Sequence, residues 1–352
     1  MEIPSSFAYS RPWPFAALFE LKRCPALFAA RAYSCSKLAD LRQRLQRMAA
    51  ELVPLETVAL VGSLGRLEAH SGSDFDVIVV VSNDQPLDGG PVQQAMDVVL
   101  ARLAASGLRQ PKTWGIYRKP TTERELCDPK SLGSLAESPN IFGKRIQLLL
   151  DAQPAYGDTA FRELQRSVLH WYATGFVEYD PEAEWVYLLN DLMRYFRSYA
   201  AWQQYEFKHE PTSSWYSRIA KLQHSRVLTY AALLVLLGEC SRERTDKIGW
   251  LARHLVMTPL ERIAFVYQRA QIGGFDRLIV AYERFAAVWN DPATRQFLLT
   301  EGPRSVSELP ARMTPVFADV LRAAKHMKDE LIELVSSRSA DWSPAFRRYL
   351  WF

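Results

Sequence analysis

The chain has 352 residues, of which 48 % are hydrophobic and 23 % charged, and its formal net charge is +4. That composition is ordinary for a globular protein with room for two cores, and it does not mark a dedicated duplex nucleic-acid binder, which carries a larger basic excess or a basic stripe. The longest apolar run, 227–237, is shorter than the roughly 18 uncharged residues of a membrane span and holds Thr229 and Tyr230, so no membrane partner is expected.

The first fifteen residues lack a basic stretch followed by an apolar one, so no secretory signal is expected. Residues 1–35 read as an N-terminal extension, with a docked helix somewhere in 11–33. Cys24, Cys35, Cys127 and Cys240 form no CxxC pair, which points to free thiols in a reducing cytoplasm and away from structural zinc. Residues 36–52 (SKLADLRQRLQRMAAEL) carry apolar positions at helical spacing, with Ser36 as N-cap and Pro54 as the stop. The run 57–61 (TVALV) reads as a buried strand ended by Gly62, and 75–81 (FDVIVVV) as a second. A loop over 83–91 and a helix over 92–106 follow, and 113–117 (TWGIY) is the candidate third strand.

From about residue 140 helical periods take over, near 141–151, 158–174, 182–207, 214–237, 246–256, 259–271, 276–290 and 314–336. The Gly273 and Gly274 pair and the stretch 291–310 read as breaks, and the aromatic tail 341–352 (DWSPAFRRYLWF) is expected to dock onto the helices. The fold class is therefore α+β: a small mixed sheet with helices over 36–140, then an all-helical domain over 141–352, with a cleft between them.

Residues 61–80 (VGSLGRLEAHSGSDFDVIVV) carry the chemistry. Gly62 lets the backbone approach a phosphate, and Ser63 adds a hydroxyl and a backbone N–H at the start of the next turn. Asp74 and Asp76 are two apart at a strand start, so both side chains leave one face, where two like charges call for a hard cation between them. The segment resembles the signature of the DNA polymerase β-like nucleotidyltransferase superfamily, a Gly-Ser pair followed after ten residues by Asp-x-Asp. The resemblance implies that Asp74 and Asp76 hold Mg²⁺ or Mn²⁺. It also implies that Gly62 and Ser63, with Arg66 and Ser73 nearby, touch a nucleoside triphosphate. Members of this superfamily present a third carboxylate as metal ligand or general base. Glu125 and Glu123 rank first for that role, because they follow the candidate third strand, then Asp128 and Asp97.

A second constellation lies in the helical half. Arg218, Lys221 and Ser225 share a face at α-helical spacing. In related nucleotidyltransferases with a helical second domain, a Lys and a nearby Ser clamp the triphosphate tail, which implies that role here. Asn190, Arg194 and Arg197 share a face of the preceding helix, beside Asp191. Tyr187, Tyr195, Tyr199, Trp202 and Tyr205 recur there as core residues, and His70 reads as an exposed loop residue. The expected activity is transfer of a nucleoside monophosphate to a small molecule or into a nucleotide signal. A protein or RNA-end acceptor, or a regulatory nucleotide-binding module without turnover, are the alternatives.

Overall fold

The computed structural model describes residues 6–13, 23–110, 115–117, 119–173, 177, 180, 183–209, 214–243, 245–301 and 314–351, without the side chains of 204–209 and 351. Helix α1 runs over Pro25–Arg47. It starts eleven residues earlier than the sequence suggests, because Pro25 sits at its first turn, where the fixed φ favours a helix. Ser36 is thus internal rather than a cap, and α1 passes residue 35 unbroken. Ser34 on the same helix donates to the Ala30 carbonyl at 2.8 Å and accepts from the Ala69 amide at 2.9 Å.

Strand β1 (Leu55–Val61) leads into a single helical turn, α2 (Gly62–Gly65), and strand β2 (Asp76–Val81) returns antiparallel to β1. Helix α3 (Gly90–Ala105) follows. The third strand is not 113–117. Gly115–Tyr117 forms a 3₁₀ turn, while 113 and 114 lie outside the described residues. Its place beside β2 is taken, in parallel, by the two-residue β3 (Thr121–Thr122), which runs into α4 (Glu123–Leu126). After α5 (Pro139–Leu150), a strand not anticipated from sequence, β4 (Gln153–Tyr156), pairs antiparallel with the other edge of β1. The sheet order is β3-β2-β1-β4.

Both faces of the sheet are buried, so both parities of the strands are apolar. Val58, Leu60, Val77, Val79 and Val81 pack with Leu38, Leu41 and Leu45 of α1 and with Val92, Val99 and Leu103 of α3. Ala59, Val61, Ile78 and Val80 join a larger core built from the helical half. Asp76 shares the parity of Ile78 and Val80, and Asp74, in an extended bridge with Arg109, keeps it. Both carboxylates therefore leave the sheet on the side of the helices.

That helical half consists of α6 (Asp158–Ala173), α7 (Val186–His209), α8 (Trp215–Lys221), α9 (Val227–Cys240), α10 (Lys247–His254), α11 (Pro259–Ala270), α12 (Phe275–Asn290), α13 (Pro292–Thr300), α14 (Pro315–Ser339) and α15 (Pro344–Trp351). Helix α13 occupies part of the stretch expected to be a break, started by Pro292 and capped by Asp291 on the Thr294 amide at 2.7 Å. Arg11 and Arg31 both pair with the buried carboxylate of Glu261, which ties the N-terminal segment and α1 to α11. No described helix is long and apolar enough to cross a membrane, and all four cysteines are free.

The aromatic tail docks as expected. Trp342 and Phe346 are 2 % and 0 % exposed, and the Trp342 indole donates to Glu239 at 3.2 Å. Its ring lies against Gly238, where a Cβ would come within 2.2 Å of it. Gly238→Ala should therefore cost about 1–3 kcal/mol by overpacking a rigid ring. A shift of the urea midpoint to lower concentration measures this. An unchanged midpoint would mean that the tail is not seated as described.

Candidate active site

The site begins where β1 ends. Gly62 has φ of +69°, a conformation open to glycine at little cost, and a Cβ there would stand 2.9 Å from Asp76 Oδ2. Asp76 pairs in register with Val61, so its carboxylate lies directly against the turn that presents Ser63. Neither Asp74 nor Asp76 is in an ion pair or side-chain hydrogen bond among the described residues. Burial, and then the neighbouring Asp74 charge, push the Asp76 pKa up to about 6, against a pull downwards from Arg226 and Lys221.

Those two cations form the opposite wall. Between α8 and α9 the chain makes a π-helical turn, Leu222–Arg226. Such a turn is wider than an α-turn and brings residue i+5 rather than i+4 over residue i. Arg226 thus joins Lys221 on the cleft side, in the place where α-helical spacing puts Ser225. Ser225 is buried, and its hydroxyl donates back to the Lys221 carbonyl at 3.2 Å. Arg218 lies one turn earlier on α8, half-buried, and is not among the charges that act most strongly on Asp76.

Lys221 is open to solvent yet deep enough in the cleft that desolvation lowers its pKa, while Asp74 and Asp76 oppose that shift. Among the described residues its ammonium makes no hydrogen bond and lies 5.1 Å over the Trp289 ring. Arg226 lies 5.2 Å over Tyr199. Burial pulls its pKa down, but Tyr199, Tyr195, Tyr117 and Asp151 more than offset this, so the guanidinium stays charged. Gln147 braces this end: it accepts from the Tyr117 hydroxyl and donates to the Tyr195 hydroxyl at 2.8 Å. Tyr187 and Tyr195 pack against the core, while Trp202 is 52 % exposed and the side chain of Tyr205 lies outside the described residues.

Arg66 does not reach into the cleft. It is buried and spans two acids, Glu68 at 2.9 Å and Asp151 at 2.7 Å. Asp151 is fixed in turn because buried Arg262 donates to the last carbonyls of α5, Leu149 and Leu150, at 3.0 and 2.8 Å. Asp151 also raises the pKa of Asp76, so it is the next acid after Asp74 that the pair feels.

The four sequence candidates for a third acid are employed elsewhere. Glu125 closes a capping box, accepting from the Thr122 amide at 3.1 Å and the Thr121 hydroxyl at 2.8 Å. Glu123 acts on Glu56 and Cys127, Asp128 caps the Lys130 amide, and Asp97 accepts from Gln93 on exposed α3. Among the described residues no third carboxylate, histidine or cysteine completes a metal-ligating group with the Asp pair.

Ser73 shapes the loop rather than the cleft: it is buried and its Oγ accepts from the His70 amide at 3.0 Å. His70, expected to be exposed, is half-buried and stacks on Trp289 with centroids 6.0 Å apart. Its Nδ1 accepts from the Gly72 amide at 3.0 Å. Burial, then Arg295, Lys221 and Arg109, lower its pKa to about 4, so it is neutral at pH 7. Asn190, Arg194 and Arg197 do not form a ligand face. Arg194 pairs with Glu137 and Asp191, and Asp191 accepts from the buried Tyr172 hydroxyl at 2.9 Å. No family model matches this chain, and no curated protein matches it.

Proposed function

We propose that this cleft binds a nucleoside triphosphate with a divalent cation and transfers the nucleoside monophosphate to an acceptor, as DNA polymerase β-like nucleotidyltransferases do. One observation carries the reading. Two carboxylates at the start of β2 face two cations on the α8–α9 turn, none of them in an ion pair among the described residues, and the four groups act on one another without touching. Opposite charges this near would close into ion pairs if nothing belonged between them. A metal-bound polyphosphate fits the gap, because it offers a cation to the acids and anionic oxygens to Lys221 and Arg226.

The acids fit Mg²⁺ or Mn²⁺ on their chemistry. They are hard oxygen donors with no side-chain hydrogen bond among the described residues, and burial, then the Asp74 charge, raises the Asp76 pKa. The metal, when bound, would neutralise phosphate charge and polarise the α-phosphorus. The chain's own residues do the rest. Gly62 keeps the Cβ-free surface beside Asp76 clear, Ser63 offers its amide and hydroxyl to a phosphate oxygen, and Lys221 and Arg226 hold the tail that leaves as pyrophosphate. Tyr117, Gln147 and Tyr195 lock the wall behind Arg226 so that it is positioned before the substrate arrives.

The test is calorimetric titration with a non-hydrolysable triphosphate in Mg²⁺, paired with an assay for pyrophosphate release. Metal-dependent binding with pyrophosphate formation supports transfer. Binding without pyrophosphate in the presence of candidate acceptors indicates a regulatory module, and no metal-dependent binding overturns the reading. Lys221→Ala should weaken triphosphate binding about 10- to 100-fold, the worth of one or two charge-assisted hydrogen bonds. An unchanged Kd would remove Lys221 from the site.

A further inference from the structure

The cleft has two differently built ends. At one end Asp76 lies against Gly62, with Arg226, Tyr117 and Asp151 as its neighbours. At the other, Asp74 is pinned by the backbone of Arg109: the Phe75 amide donates to the Arg109 carbonyl at 3.1 Å, and the Arg109 amide to the Ser73 carbonyl at 3.2 Å. Lys221 stands between, acted on by both aspartates. The Asp74 end carries a second pair of cations. Arg109 from the sheet edge and Arg295 from α13 each come within 3.1 Å of the point where a Cβ on Gly72 would stand. Their guanidinium groups are thus at most twice that distance apart.

Arg109 is held by the Gly72 carbonyl, and Arg295 by the Trp289 carbonyl at 2.8 Å and by His70 Nδ1 at 3.2 Å. Each keeps N–H groups to spare, since a guanidinium has five. Neither is in an ion pair among the described residues. Asp74 acts on neighbouring His70, and Asp291, which feels Arg295, is already capping the Thr294 amide. Neutral His70, flat against Trp289, adds no charge and braces Arg295. Two like charges held this close, one from each half of the molecule, repel each other unless an anion bridges them.

We propose that Arg109 and Arg295 form the acceptor subsite, and that the acceptor presents an anionic oxygen, a phosphate monoester or a carboxylate, beside Asp74. This inference rests on the nucleotidyl-transfer reading above. Arg109 and Arg295 are not among the charges that act most strongly on Asp76 or Lys221, so the pair is set apart from Arg226 and leaves the triphosphate tail to it. Such an acceptor also suits the chemistry. Its oxygen is ionised at neutral pH and attacks the α-phosphorus directly. The new oxygen–phosphorus bond forms as the bond to the β-phosphate oxygen breaks, and the electron pair leaves on pyrophosphate. No proton changes hands, and the product is a mixed anhydride.

The experiment titrates inorganic phosphate, and separately acetate, into the full chain saturated with a non-hydrolysable triphosphate and Mg²⁺. The same titrations are run on Arg109→Gln/Arg295→Gln, which removes both charges and keeps a polar donor at each position. The expected result is a second anion site that the double variant weakens about tenfold or more, the effect of removing two charged donors, with triphosphate affinity within about twofold of the parent. The preferred anion assigns the acceptor group. Absence of a second anion site, or one that the double variant leaves intact, overturns the proposal while leaving triphosphate binding standing. If the triphosphate itself fails to bind, the nucleotidyl-transfer reading fails, and the phosphate titration of nucleotide-free protein, compared between the parent and the Arg109→Gln/Arg295→Gln variant, still reads the contribution of the Arg109–Arg295 subsite.

Discussion

Asp76→Asn should remove the proposed nucleotidyl transfer and stabilise the metal-free protein, both from the loss of one charge. The carboxylate is half of the pair that would hold the metal, and metal stabilisation of transition-state charge is worth several kcal/mol, so transfer should fall about a thousandfold or more. The stability effect has the opposite sign. The folded-state pKa of Asp76 is raised from 3.8 to about 6, by burial first and Asp74 second. Between those values the folded protein holds a proton that the unfolded chain has lost, so stability falls as pH rises through that window. The full linkage is on the order of 3 kcal/mol at neutral pH. Chelator-treated parent protein should therefore melt lower above about pH 6 than below about pH 4, as far as this group contributes. Asp76→Asn should lose that slope and melt higher than the parent at pH 7. Undiminished transfer would remove Asp76 from the mechanism. A variant that melts lower than the parent at pH 7 would show that the carboxylate is structurally satisfied rather than strained.

The half of the site on the sheet was legible because it is local. Strand parity puts Asp74 and Asp76 on one side whatever the rest of the chain does, and Gly62 announces the turn. The other half depended on where helical phase breaks. A strict α-helical count puts Ser225 one turn from Lys221, yet the π turn at Leu222–Arg226 substitutes Arg226, and no simple sequence signal for such a turn was available. Arg109, Arg295 and His70 converge from 225 positions apart in the chain, so no window of sequence holds them together.

The edges of the sheet escaped for related reasons. Pro154 argues against a strand, but β4 lies at the edge, where a missing amide is tolerated. Only two residues of β3 pair, too few for any alternation to register. Glu123 and Glu125 follow 113–117 at the start of α4, where Thr122 and Glu125 form a capping box. That Thr-x-x-Glu signature was readable, and it identified a helix start rather than a base.

Arg66→Ala should be the most destabilising single change in the sheet half, because it leaves Glu68 and Asp151 buried without their shared ion-pair partner. Their side chains are 12 % and 2 % exposed, and Asp151 Oδ1 has no hydrogen-bond partner among the described residues. Removing one member of a buried charged group costs about 3–5 kcal/mol, a third or more of the stability of an ordinary domain. Burial already raises the Glu68 pKa against the pull of Arg66, so in the variant Glu68 rises further and takes up a proton to fold. A raised folded pKa gives stability that is present at low pH and lost as pH climbs through it. Arg66→Ala should thus regain part of its loss on acidification to about pH 5. Glu68→Gln in the Arg66→Ala background should restore part of the stability at pH 7, where Glu68→Gln alone is destabilising. Denaturant midpoints of the two single variants and the double give the coupling. Additive losses would show that Arg66 acts through packing alone, not through charge.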